Sequence, residues 1–180
     1  MVQHSYANPA VLVIDMQVGL FHGGRVIHAA EQVLDNVRRV LVKAHAASVP
    51  VFAVRHTGPQ GSPIEAGSAN WQFMPELGID LEGDTVFEKT RPSCFAGTDL
   101  LQQLRAKGIQ ELIICGLKTQ YCIDSNCRAA SELGFKVILV EDAHSCNDTE
   151  LLPASNIIAH HNATLNGLFA SLIKTEDLRF

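Results

Sequence analysis

The chain has 180 residues, 47% of them hydrophobic and 18% charged, with a formal net charge of -5. These values fit a soluble globular protein and exclude an intrinsically disordered one, and 14 Lys and Arg against 19 Asp and Glu leave no basic excess to draw nucleic acid. The length suits a single domain over residues 1–180 with a full core and is too short for two.

The first apolar run, 11–14, reads VLVI and meets an aspartate at once, so the N-terminal stretch is neither a signal h-region nor a membrane span. With an odd count of five cysteines, this points to a cytoplasmic protein with reduced thiols. Over 28–48, Val33, Leu34, Val37, Val40, Leu41 and Ala44 recur at helical spacing while Arg38, Arg39 and Lys43 take the other side, which predicts an amphipathic helix. Further apolar runs at 51–54, 85–87, 112–115 and 137–140, and a weaker one at 171–174, read as buried strands. A second helix opens at Thr98 as N-cap, carries Leu100, Leu101 and Leu104, and stops at Gly108; a third covers 121–133 and closes at Gly134. The fourth follows Asp148 or Thr149, tolerates Pro153 in its opening turn, and buries Ile157, Ile158, His161, Leu165 and Leu168. Between the second and third strands, 57–83 is irregular and rich in Gly and Pro, with Trp71 and Phe73; so long a loop is functional or an interface.

Strands alternating with helices imply an α/β fold, a mostly parallel sheet with helices on both faces. Ligands in such a sheet bind beyond the carboxyl ends of the strands. That rule selects Asp15, the pair Arg55 and His56, the pair Glu88 and Lys89, and the turn GLKTQYC that holds Cys122. Cys122 falls near the start of the third helix, where free N–H groups and the helix dipole favour a thiolate. If Lys89 reaches the sulfur and Asp15 reaches both, the three form an activated nucleophile with a proton carrier, as amide hydrolysis requires.

The runs VLVIDMQ, FEKTRPSCFAGTDL, IICGLKTQYC and GFKVILVEDA, in this order, resemble the isochorismatase-like cysteine hydrolases, the superfamily of nicotinamidase and N-carbamoylsarcosine amidohydrolase, over roughly residues 10 to 175. The resemblance implies a three-layer Rossmann-like fold with a six-stranded sheet of order 3-2-1-4-5-6 and a catalytic triad of Asp15, Lys89 and Cys122. It also implies a cis peptide between Leu117 and Lys118, aiming the Lys118 N–H, beside that of Cys122, at a developing oxyanion. A cysteine at the nucleophile position favours cleavage of an amide, carbamoyl or ureido C–N bond through a thioester over the vinyl-ether chemistry of isochorismatases proper. Many nicotinamidases carry a D-x-H pair and further histidines that bind a metal, whereas the matching region here reads VRHTGPQGSP. The expectation is therefore no metal and no cofactor. A small amide-type substrate and assembly into dimers or larger homo-oligomers complete what the resemblance implies, while charge and hydropathy point to no nucleic acid or membrane partner.

Around the triad, Gln17 is expected to fix the aspartate or nearby backbone, Phe21 to form an apolar wall, and His56 to approach the substrate. Trp71 either caps the substrate or fills a subunit interface, Tyr121 projects either way, and Thr119 supports the turn through its hydroxyl. Cys115 and Cys127 read as core, Cys94 as structural or approaching the pocket, and Cys146 as a loop thiol. Two rivals to hydrolysis remain: a thiol redox sensor, which lacks a resolving C-x-x-C partner, and an idle interaction module on the same fold. A dinucleotide-binding dehydrogenase needs G-x-G-x-x-G after the first strand, where the chain reads DMQVGLFHGG.

Overall fold

The computed structural model describes residues 6–180. Six strands, β1 (Pro9–Ile14), β2 (Val51–His56), β3 (Thr85–Lys89), β4 (Glu111–Leu117), β5 (Lys136–Ser145) and β6 (Ser171–Ile173), pair in the order β3-β2-β1-β4-β5-β6. Every pairing is parallel. The winding reverses between β1 and β4, which leaves a crevice at their carboxyl ends.

Side-chain alternation along the strands divides the core in two. Leu12, Ile14, Phe52, Val54, Leu112, Ile114 and Leu139 face α3 (Leu100–Ala106) and α4 (Asp124–Glu132), meeting Leu100, Leu104, Cys127 and Ala130. On the other face Val11, Val13, Val51, Ile113, Cys115, Ile138 and Val140 pack against α2 (Ala30–Ala46). The buried apolar residues of α2, Val33, Val37, Val40, Leu41 and Ala44, follow the spacing that predicts it. Each fully buried aliphatic side chain contributes about 1.5–3 kcal/mol. Among the described residues no helix is long and apolar enough to cross a membrane.

Three features differ from the sequence expectation. A four-residue helix, α1 (Val18–Phe21), follows β1 directly. The third helix is preceded by a π-helical turn, Thr119–Ile123, so Cys122 lies in that turn and α4 starts two residues later. The last long helix, α5 (Ala154–Leu165), starts after Pro153; Asp148 still caps it from outside, its Oδ1 accepting from Ala154 N at 2.7 Å, while Thr149 closes the preceding turn. Leu168 lies past the end of α5 and is 75% exposed, because the chain has already turned toward β6.

Candidate active site

Four strand ends build the site. Gly116 of β4 sits opposite Ile14 of β1 in register, and a Cβ at Gly116 would lie 2.1 Å from Ile14 O. Its φ of +121 compounds the need for glycine there. That close approach brings the turn after β4 beside Asp15. Asp15 has φ 54, in the left-handed region that Asp and Asn enter more readily than most side chains. Its N–H donates to Val54 O (3.1 Å) and its carbonyl accepts from Gln17 N (2.8 Å), which fixes the kink. In the β2–β3 register His56 stands opposite Lys89. Asp15, His56, Lys89 and Cys122 thereby converge.

The Lys89 ammonium is the hub. Its Nζ donates to Asp15 Oδ2 at 2.7 Å, to Cys122 Sγ at 3.3 Å and to His56 Nδ1 at 3.2 Å, using the three N–H bonds a lysine has. The Lys89 and Asp15 side chains are 0% and 2% exposed. Asp15 Oδ1 is buried and has no hydrogen-bond partner among the described residues.

Burial raises the Asp15 carboxyl above its ordinary range, against the pull of Lys89. Burial acts to lower Lys89, but Asp15, Cys122 and Cys94 together outweigh it and leave the ammonium raised. The Cys122 thiol is pushed up to about 12, by burial first and by the Asp15 charge next. This corrects the expectation of a resting thiolate: the apolar surroundings and the neighbouring carboxylate outweigh both Lys89 and the helix start. His56 is lowered by burial and then by Lys89, consistent with a neutral ring accepting at Nδ1.

Asp15, His56 and Cys122 offer ligand atoms all within 4.8 Å of one another, the one such group among the described residues. These atoms already share the Lys89 ammonium, so a metal ion there would compete with a cation the chain itself supplies. The donor set does not fit a resident metal while Lys89 is charged.

The other sequence-selected residues fall into place as follows. Gln17 is fully buried and clamps the long loop to β2: its Nε2 donates to His56 O (3.0 Å) and Trp71 O (2.9 Å), and its Oε1 accepts from His56 N (2.7 Å). Phe21 packs into the core on the α2 side, with Met16, Ile27 and Leu77, rather than with the triad. Trp71 is tied down, its Nε1 donating to Thr57 Oγ1 (2.9 Å) while the Arg55 guanidinium lies 4.2 Å from its ring and 4.3 Å from that of Phe73. Thr119 is buried and its hydroxyl meets His144 Nδ1 at 2.9 Å. Tyr121 is 57% exposed. The Leu117–Lys118 peptide is cis. All five cysteines are free and buried, and Cys146, expected as a loop thiol, is enclosed by α5 with Sγ 3.9 Å from Ala154 O.

Two residues escaped the sequence reading. Asn126, fully buried one helical turn after Cys122, donates to Cys122 O (2.7 Å) and Pro92 O (3.0 Å) and accepts from Cys94 N (2.7 Å), tying the Cys122 turn to the segment after β3. Its spacing of four from Cys122 was the available signal. His144 bridges Thr119 to Asn162 Oδ1 (2.8 Å); nothing local in the sequence announces it.

An isochorismatase domain model matches residues 9–176. An uncharacterized isochorismatase family protein of Bacillus subtilis is 32% identical over 180 residues, covering 93% of this chain and 96% of that protein. Nicotinamidase 3 of Arabidopsis thaliana is 31% identical over 186 residues, covering 94% of this chain and 86% of that protein. The crystal structure of an isochorismatase from Pseudomonas putida KT2440 is similar with a TM-score of 0.89 at 28% identity, covering 98% of this chain and 94% of that one.

Proposed function

The chain belongs to the isochorismatase family of hydrolases, and from that premise we propose that it cleaves a C–N bond of a small amide, carbamoyl or ureido compound, with Cys122 as nucleophile, Asp15 as proton carrier and Lys89 as the fixed counter-charge. The observation that carries this reading is the Lys89 ammonium shared between Asp15 Oδ2 and Cys122 Sγ, with Asp15 Oδ1 left free. The similar nicotinamidase, by its name, acts on an amide.

At rest the sulfur holds its proton, because an unpaired thiolate in that environment is costly. As the sulfur attacks the carbonyl carbon, its proton passes to Asp15 Oδ1 and the carbonyl oxygen takes up the negative charge. The N–H groups of Lys118 and Cys122 receive that charge, an effect of about 3 kcal/mol per well-placed donor. Collapse breaks the C–N bond, Asp15 returns the proton to the leaving nitrogen, and ammonia or an amine departs from the thioester. Water then attacks the thioester, giving a proton to Asp15, and the second collapse releases the acid and restores the thiol. Lys89 keeps its charge throughout, so the carboxylate and the transient thiolate are never both without a cation. A cytoplasmic homo-oligomer completes the reading, with light scattering across concentrations as the check on assembly.

Product detection by ammonia assay and mass spectrometry across small amides and ureido compounds tests the activity. Cys122→Ala is expected to abolish turnover while circular dichroism stays unchanged; a pure Cys122→Ala sample that hydrolyses at the native rate would sink the assignment.

A further inference from the structure

Lys118 contributes a backbone N–H to the reading above, but its side chain has no part in it. Nζ donates to Asn147 Oδ1 at 2.5 Å. Asn147 is buried and otherwise committed, its Nδ2 donating to Arg25 O (2.6 Å) and Val26 O (3.0 Å). One of the three ammonium donors is therefore spent, and among the described residues no carboxylate lies within 4 Å of Nζ. The other enclosed lysines differ. Lys89 uses all three donors, and Lys43 caps the carbonyls of Thr175, Glu176 and Leu178.

Lys118 is half-buried, and burial, joined by the charge of Arg25, acts against its ammonium; Cys146 and Cys122 act the other way. A partly desolvated cation with two donors left over and no acidic partner gains from a ligand that brings the opposite charge. Its place makes that ligand the substrate: the same residue carries the N–H beside the nucleophile, and a flexible four-carbon stem links that N–H to the ammonium.

We propose that Lys118, held by Asn147 and flanked by the Arg25 segment, receives a carboxylate of the substrate, so that the compound hydrolysed is an amide or ureido acid with its acidic group a few bonds from the scissile carbonyl. The inference rests on Cys122 being the nucleophile. It assigns Lys118 a role in specificity that its backbone does not cover.

Iodoacetate and iodoacetamide test it without knowledge of the substrate, since they alkylate the same sulfur and differ only in carrying a carboxylate or a neutral amide. Rates at Cys122 in the full-length protein are read by peptide mass spectrometry and expressed as the iodoacetate-to-iodoacetamide ratio. Lys118→Met is expected to lower this ratio about tenfold from the native value, the size of one charge-assisted contact. Lys118→Arg keeps most of the ratio, and Lys107→Met, which removes an exposed charge after α3, leaves it unchanged. Equal ratios in the native protein and Lys118→Met would overturn the inference while the nucleophile reading stands. Hydrolysis that survives Cys122→Ala would instead overturn the nucleophile reading, and this inference with it.

Discussion

Removing either member of the Asp15–Lys89 pair tests how the site is held together. Both side chains are essentially sealed and their charged atoms lie 2.7 Å apart, so Lys89→Met strands a carboxylate in a low-dielectric pocket and Asp15→Asn strands an ammonium. Breaking a buried pair from one side costs about 3–5 kcal/mol. Asn is the suitable replacement at position 15 because it also tolerates the left-handed backbone at φ 54. The double variant Asp15→Asn/Lys89→Met has no charge to strand and should lose only the exchanged hydrogen bonds, about 1–2 kcal/mol. Its cost therefore falls short of the sum of the two single costs by at least about 4 kcal/mol, the mark of two residues that act as one unit. Urea denaturation at pH 7, followed by circular dichroism, measures all four corners of the cycle. The pH sign is also fixed. A carboxyl whose folded pKa is raised above its unfolded value costs nothing below the unfolded value and destabilises as pH climbs through the folded one. With its cation gone the carboxyl is raised further, so the penalty of Lys89→Met grows as pH climbs above the ordinary carboxyl value of 3.8. Additivity of the single variants within about 0.5 kcal/mol would refute the picture of one shared, desolvated pair.

Two other consequences are accessible to the same measurements. Burial lowers His144 from 6.5 to about 4, so the unfolded chain binds more protons than the folded one in that window; stability should fall by about 3 kcal/mol as pH drops from 6.5 through 4, and His144→Gln should flatten that part of the pH profile. Gly116→Ala should cost more than about 4 kcal/mol, because the added Cβ meets Ile14 O at 2.1 Å and the backbone there is held at φ +121; soluble, fully folded Gly116→Ala with native urea resistance would contradict the β1–β4 approach.

Strands β1, β2 and β4 were legible because each is short, apolar and buried on both faces, a signal that survives without knowledge of neighbours. Asp15, Lys89 and Cys122 were legible for a related reason: strand ends in a parallel sheet point to one edge, and the four motifs fixed which residues lie there. What escaped depends on backbone detail or on partners distant in sequence. The π-helical turn around Cys122 looks like an ordinary helix start in a one-dimensional pattern, and α1 is too short to show a period. Phe21 read as a pocket wall because it follows Asp15 closely, yet the turn of α1 delivers it to the core under α2. Asn126 acts through backbone groups 32 and 34 residues away, contacts that no local spacing encodes.

The resting thiol follows from the same geometry that makes the site reactive. Three acceptors share one ammonium, and the shortest of those contacts goes to the carboxylate, so Lys89 is committed mainly to Asp15 and neutralises the sulfur only in part. A fully ionised thiolate would add a second buried anion beside Asp15, which burial and that neighbour oppose. In the proposed mechanism the proton therefore leaves the sulfur as the new C–S bond draws charge toward the carbonyl oxygen, and the carboxylate accepts it at the oxygen Lys89 does not hold. Asp15 Oδ1 is that oxygen, buried and unpartnered. In the proposed mechanism loss of the thiol proton is thereby coupled to attack on the carbonyl, and between turnovers the sulfur, 9% exposed, stays protonated and slow to react.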